Sequence, residues 1–401
     1  MPYGRRQIHT ITLSEMREIN RSSILELIRS NSPIARTQIA THLHVSLPTV
    51  MRIVDELIQN GWVIEDGERE WSGGRKRTRL IFNGAQHLVI GLDLGGTKIF
   101  GAVADFNGKF LHEIWVEQPD ADTERSFATL CETIAQLIDC ARSTGLPVKG
   151  IGLGVPGVVE PDTGLVSIAP ALSWHNFQLK TRLQEQLKLP IVVENDVNLA
   201  ALGEMWFAAR EEESNLILLT LGTGVGAGVI INGAVYNGSH NMAGEVGYFL
   251  PDRQHLWRSY PDFGAIEQLV SEVGIANRAR QVLASLRSQS ELEALTSSEV
   301  FEAVRRQEPW VQTIFEDTVD YLALLVAALA TLYDPDVILL GGGLSRSADL
   351  LIEPICKRLE GTLLLQPNIR ASQLGYRAAI LGAIIRLLRI TNNYYILQKF
   401  V

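Results

Sequence analysis

Between Leu216 and Tyr248, Gly222, Gly224, Gly226 and Gly228 alternate with Thr223, Val225 and Ala227. The stretch ends in Gly244-Glu245-Val246-Gly247-Tyr248, a carboxylate and a phenol in a glycine-rich bend. A glycine at every second position clears side chains from one side of the backbone, so a bulky or charged group can approach the amides. Convergent N–H groups make an anion site, typically for phosphate. The alternative is a ligand-free hairpin, since Leu216–Leu221 reads as a strand and Asn232-Gly233 as a hairpin turn.

Three further clusters carry related chemistry. In Asp93-Leu94-Gly95-Gly96-Thr97-Lys98, a turn between two strands, the glycines and the Thr97 hydroxyl can cradle phosphate oxygens. Asp93 can hold Mg²⁺ through water. Glu194-Asn195-Asp196-Val197-Asn198 follows a strand over 190–193, and polar residues at the carboxyl end of an α/β strand are where ligands sit. Asp196 there can take a hydroxyl proton as the oxygen attacks a phosphoryl group. Its spacing fits equally well with a cap on the helix that follows. Gly341-Gly342-Gly343, between a strand and a helix, suits the adenosine or α-phosphate of a nucleotide.

These clusters need strands to hold them. Residues 89–94, 100–104 and 111–116 read as strands, with Asn107-Gly108 as a turn, followed by a helix over 127–141 and a strand over 150–155. After the strand at 216–221 come a long apolar helix over 311–333, ended by Asp334-Pro335, and a strand over 337–340. Two strand sets, each with its own glycine turn, imply duplicated α/β lobes around a cleft. The expected division is 83–198 for the first lobe, with a C-terminal helix over 377–390 packing back on it, and 199–376 for the second.

The first 82 residues are of another kind. Helices are expected over 19–28, 36–43 and 47–59, with Ser46 capping the last and Pro48 in its first turn. Strands at 62–64 and 80–82 flank a polar loop that ends Gly73-Gly74-Arg75-Lys76-Arg77. This α+β order is that of a winged helix-turn-helix, whose recognition helix enters the major groove. Ser46, Thr49 and Arg52 are expected to touch bases or phosphates, and Arg36 a phosphate. Arg75, Lys76 and Arg77 are expected in a minor groove. The alternative is a winged helix that binds protein or is purely structural.

Composition sets the outer bounds. The 401 residues carry a net charge of −9. Residues 1–82 hold 12 Lys and Arg against 9 Asp and Glu, and the remainder 24 against 36. A basic module on an acidic body points to a nucleic-acid binder joined to another function. Cys131, Cys140 and Cys356 stand far apart, which argues for a reducing compartment and against a cysteine metal site. The longest charge-free apolar run, Tyr321 to Tyr333, is too short for a bilayer. No secretory signal is expected, and a cytoplasmic location is.

The four motifs, in this order behind a winged helix, resemble the ROK (repressor, open reading frame, kinase) family and its NagC/XylR-type transcriptional regulators. The resemblance covers essentially the whole chain. It implies an actin-like, ribonuclease H-like sugar-kinase fold. Asp93, Gly95, Gly96, Thr97 and Lys98 would match the first phosphate loop, and Gly222, Thr223, Gly224 and Gly226 the second. Gly341, Gly342 and Gly343 would lie at the adenosine. Asn195, Asp196, Glu245 and Glu267 would contact the sugar, Asp196 being the base in kinases.

The chain departs from the family in three places. Tyr248 stands where the family has a zinc-binding histidine, and no cysteine lies between it and Glu267. No zinc is therefore expected; the Tyr248 hydroxyl can still reach a sugar. Ala171 stands near Trp174, where family members often have an asparagine. The phosphate loop, by contrast, is intact.

The reading is a sugar-responsive regulator, acting as a repressor, that needs no cofactor. Its expected partners are operator DNA, a sugar or sugar-phosphate effector and further copies in a homodimer or tetramer, with no membrane. The alternative is an ATP- and Mg²⁺-dependent hexose or N-acetylhexosamine kinase, alone or combined with DNA binding.

Overall fold

The protein is described by a computed structural model covering residues 12–70, 77–119, 122–260 and 264–391. The chain begins with α1 (Leu13–Asn31), β1 (Ile34–Ala35), α2 (Arg36–Leu43) and α3 (Leu47–Gln59), followed by β2 (Val63–Glu70) and β3 (Arg77–Phe82). The strands form a sheet in the order β1-β3-β2. Apolar residues at helical spacing drive this assembly. Val50, Ile53, Val54 and Leu57 of α3 are fully buried against Ile24, Leu25 and Ile28 of α1 and Ile39 of α2. Helix α1 starts six residues before the expected helix, over a stretch in which Ser14, Glu15, Arg17 and Glu18 interrupt the apolar pattern. Ser46 caps α3 as expected, its hydroxyl accepting from Thr49 N at 3.4 Å. Arg75 and Lys76 lie outside the described residues, and for Arg77 only the backbone is described.

The first lobe is built on β4 (Leu88–Leu94), β5 (Lys98–Asp105) and β6 (Phe110–Glu117), then α4 (Thr123–Ser143) and β7 (Val148–Val155). A small sheet follows, β8 (Val158–Glu160), β9 (Leu165–Ala169) and β10 (Trp174–Phe177), then α5 (Leu179–Gln184) and β11 (Ile191–Asn195). The main sheet runs β6-β5-β4-β7-β11, with β4, β7 and β11 parallel.

Helix α6 (Asp196–Phe207) leads into β12 (Leu216–Leu221), β13 (Val225–Ile231) and β14 (Ala234–Val235). Asn232 and Gly233 both take positive φ, 51° and 74°, as a tight hairpin between β13 and β14 requires. Helices α7 (Glu267–Val270), α8 (Glu272–Leu283), α9 (Gln289–Ala294), α10 (Ser297–Arg305) and α11 (Gln312–Tyr333) come next. Strand β15 (Val337–Gly341), α12 (Ala348–Leu359), β16 (Ile369–Ala371) and α13 (Ala378–Thr391) complete the chain. The second sheet runs β14-β13-β12-β15-β16, the same connectivity as the first. This is the duplicated two-lobed fold that the paired glycine turns implied. Among the described residues no helix is long and apolar enough to cross a membrane.

Helices α6 and α13 cross at the centre. Ala201 and Leu202 of α6 pack on Leu216, Leu218 and Val337 of the second sheet. Helix α13 covers the first sheet, where Gly152 admits Ala383: a Cβ on that glycine would come within 2.4 Å of the Ala383 methyl. The two helices meet backbone to backbone, since a Cβ on Gly203 would lie 2.2 Å from the Ala378 carbonyl oxygen.

The winged helix shares its core with the first lobe, through Val89, Phe106, Leu381 and Ile384. Trp62 is the seam. Its ring lies 4.3 Å from that of His87 and meets Phe106 edge-on at 5.1 Å.

Candidate functional site

Four carboxylates converge where the lobes meet. Asp93 is the penultimate residue of β4 and pairs with Gly154 of β7. A Cβ on Gly154 would lie 3.4 Å from the Asp196 Cβ and 3.5 Å from Asp93 Oδ1. The missing side chain thus makes room for two acids side by side. Burial and the neighbouring Asp196 charge push the Asp93 carboxyl up. Burial also raises Asp196, opposed by the hydrogen bond its Oδ1 accepts from Val197 N at 2.9 Å.

The reading of Asp196 as a helix cap is corrected. The cap is Asn195, whose Oδ1 accepts from Asn198 N at 2.9 Å. Asp196 is the first residue inside the helix, so its side chain is left for the cleft. Asn195 also donates from Nδ2 to the Gly157 carbonyl at 2.9 Å, so its amide is engaged at both ends. Behind it, buried Glu194 accepts from Asn195 N at 3.1 Å and pairs with Arg386 of α13 at 3.2 Å. This pair ties the Asn195-Asp196 corner to the crossing helix.

Glu245 is half-buried, and no hydrogen bond to its carboxylate is found among the described residues. Burial, then the charges of Asp196 and Glu267, push it up to about 7. Its oxygens are thus available to a donor in the cleft. Tyr248, three residues on, exposes half its surface.

Glu267 has a further task. It accepts from Val225 N at 2.8 Å and from Gly264 N at 2.9 Å. Its carboxylate clasps the glycine strand to the segment before α7. The sequence suggested only a sugar contact for Glu267. In the loop before that segment the His255 ring bonds the Tyr260 hydroxyl at 2.6 Å. Among the described residues no group of three His, Cys, Asp or Glu side chains is placed to hold a metal.

The glycines divide between two roles. Gly226 and Gly228 face α6, since their missing Cβ atoms would press on Val197 and Ala201. What approaches the strand closely there is a helix, so Gly226 moves from the anion cradle to packing. The tip Gly222-Thr223-Gly224, where Thr223 is exposed, is different. It adjoins the second glycine turn: a Cβ on Gly222 would lie 4.0 Å from Gly343 N. Gly342 takes φ 76° there, against the Leu221 backbone. Glu272, which the sequence did not single out, sits beside Gly343 and is raised by burial, opposed by Arg346. In the first loop Gly95 N is used within the turn, donating to Lys98 O at 2.8 Å. Gly96, Thr97 and Lys98 are exposed, and a Cβ on Gly96 would lie 3.0 Å from that of Ala171.

On the winged helix the expected DNA contacts are mostly engaged within the domain. Arg36 pairs with Glu65 at 2.9 Å and Asp55 at 3.2 Å. Arg52 pairs with Glu56 at 3.1 Å, and so does Arg17 at 2.8 Å. The Ser46 and Thr49 hydroxyls bond each other at 2.8 Å. Arg29 of α1 lies 4.8 Å over the ring of Trp206, near the end of α6. No local pattern marked that contact in the sequence.

A duplicated two-sheet body with acids at its cleft, joined to a helix-turn-helix, is the architecture of a sugar-kinase-like regulator. The chain belongs to the ROK family: residues 89–389 match the ROK family model, and residues 17–64 match a winged helix-turn-helix DNA-binding model. The xylose repressor of Caldicellulosiruptor bescii is 29% identical over 379 residues, 92% of this chain and 95% of that protein. The glucokinase of Halalkalibacterium halodurans is 35% identical over 309 residues, covering 73% and 92% respectively. A crystal structure of a ROK family transcriptional regulator, homologous to the E. coli MLC protein, superposes with a TM-score of 0.83 at 22% identity. It covers 94% of this chain and 98% of that one.

Proposed function

We propose that the protein is a sugar-responsive, DNA-binding transcriptional regulator that acts as a repressor. The carrying observation is that the winged helix is anchored on both lobes. Trp62 seats it on the first lobe, and Arg29 seats it on the end of α6, which packs on the second. Helix α6 begins at Asp196 in the cleft and ends at Phe207 beside the DNA module. A sugar that draws the lobes together moves one anchor relative to the other. It changes DNA affinity only by its differential affinity for the two arrangements, typically ~1–3 kcal/mol.

Asp196, Glu245 and Tyr248 receive the sugar hydroxyls, with the Asn195 corner and the Glu267 clasp positioning them. Two copies present paired recognition helices to successive major grooves, about 34 Å apart. A thermal-shift screen of sugars and sugar phosphates identifies the effector. A ligand at a hundred times its Kd adds about 2.7 kcal/mol. No stabilisation by any member of such a panel would count against the reading, as would undiminished DNA binding after removal of residues 1–82.

A sugar-kinase activity is the second reading, favoured by the adjoining Asp93 and Asp196 carboxyls under an intact glycine turn. Two adjoining carboxyls at the junction of the lobes suit a hard cation, which carboxylate oxygens hold. ATP with Mg²⁺, when bound, would supply the transferable phosphoryl group. Asp93 would hold the ion through water, and Thr97, Thr223 and the Gly341–Gly343 turn would line the nucleotide. Asp196 would accept the proton of the sugar hydroxyl. Turnover with ATP and a hexose panel, abolished by Asp196→Asn, tests it.

A further inference from the structure

The start of α3, where a helix-turn-helix reads bases, presents an apolar surface. Leu47 is 39% exposed and Met51 48% exposed, and Pro48 between them is also exposed. Leu47 and Met51 are one helical turn apart and adjoin on the surface. Single exposed apolar side chains are ordinary. Three at the base-reading end of a recognition helix are less so, because that end is the part of the module that meets the groove floor.

Most of the groups that would read bases by hydrogen bonding are occupied. The Ser46 hydroxyl caps the helix and bonds Thr49. Arg36 is held between Asp55 and Glu65 with its side chain only 18% exposed. Arg52 pairs with Glu56, but at half exposure this is a weak surface pair. It can open toward a phosphate, not far from Met51. Asp55, next along the outward face, repels phosphate and already pairs with Arg36. Guanine recognition needs a free Arg or Lys forked on O6 and N7, and this end of the helix offers none but Arg52. Leu47, Pro48 and Met51 have one matching feature in the major groove, the thymine 5-methyl group.

We infer that Leu47, Pro48 and Met51 read thymine methyl groups in the major groove, so that the operator is specified by the placement of A·T pairs. This rests on the regulator reading and adds the base preference and the residues that set it.

The test starts from the full-length protein and a pool of duplexes with a randomised core. The best duplex selected from it is remade with deoxyuridine in place of thymidine, one position at a time, which removes only the methyl group. At one or more positions in each half-site, affinity should fall about fourfold, the factor expected for one buried methyl. Met51→Ala should bind the thymidine duplex more weakly and lose the penalty at its own position. Leu47→Ala should do the same at a neighbouring one. Both side chains are exposed, so neither change threatens folding, and the salt dependence of binding should stay the same. Unchanged affinity at every deoxyuridine substitution overturns the inference while leaving the regulator reading intact. So does a full penalty retained in both variants, including the case where they alter only self-association. Failure to enrich any duplex overturns the regulator reading and this inference with it.

Discussion

Arg29, near the end of α1, stacks 4.8 Å above the ring of Trp206, and Arg389 of α13 lies 5.9 Å from the same ring. The indole is therefore shared by the DNA module, the second-lobe helix α6 and the crossing helix α13. A cation over an aromatic face at a partly exposed site is worth about 1 kcal/mol.

Arg29→Ala should accordingly leave DNA binding without sugar nearly intact. It should change the ratio of DNA affinities with and without sugar by a factor of about five, equivalent to ~1 kcal/mol. The two ratios are read by titrating a labelled duplex at fixed salt. An unchanged ratio would remove Arg29 from the coupling.

The Asp93–Asp196 pair should cost stability when no ligand is present. Both carboxyls are raised in the folded state, so each opposes folding above its ordinary range. Asp196→Asn should raise the melting temperature at pH 8 by roughly 2–4 °C, for about 1 kcal/mol in a lobe of this size. The gain should shrink toward pH 4, where unfolded carboxyls are protonated too. Melting curves at the two pH values decide it. A loss of stability at pH 8 would contradict the geometry.

Glu245 sets a pH dependence of its own. Its carboxyl lies at about 7 in the fold against an ordinary 4.5, so the folded state holds a proton that the unfolded state has released. Stability from this group is therefore lost as pH rises from about 4.5 to 7. Sugar binding runs the other way. Sugar hydroxyls donate best to the carboxylate, so sugar affinity should rise as pH climbs through 7 and level off above it. Glu245→Gln should bind sugar weakly and lose this group's share of both profiles, while the Asp93–Asp196 share of the stability profile stays. Calorimetric titrations across this range provide the check.

Glu267→Gln should act on the fold more than on the ligand. Two backbone amides lose a charged acceptor, at a cost of about 2 kcal/mol. The denaturant midpoint should fall, whereas in Glu245→Gln it should not. Equal midpoints in the two variants would reduce Glu267 to a ligand contact.

Much of this was legible in the sequence, for physical reasons. Strand–turn–helix order, the Asn232-Gly233 turn and the Ser46 cap are local, and local preference decides them. The duplicated lobes followed from two glycine turns on two strand sets. Other features depended on partners far along the chain. Alternating glycines said that something approaches the β13 strand, but not that it is α6. Asn195 and Asp196 differ by one residue in which of them caps, and that turns on where the helix begins. Glu267 was marked as a sugar ligand, and its clasp on Val225 N emerges only when the two loops meet. Arg36 and Arg52 read as free cations because their acidic partners, Glu65 and Glu56, are neighbours in space or on the same helix face. Arg29 and Trp206 lie in different domains, and no periodicity links them.

The most direct measurement is the affinity of the full-length protein for its selected duplex, at fixed salt, with and without the sugar that stabilises it in the thermal screen. The affinity should change by about 5–150-fold, the range of an ordinary coupling free energy. Identical affinities in the two conditions, with the sugar demonstrably bound, would contradict it.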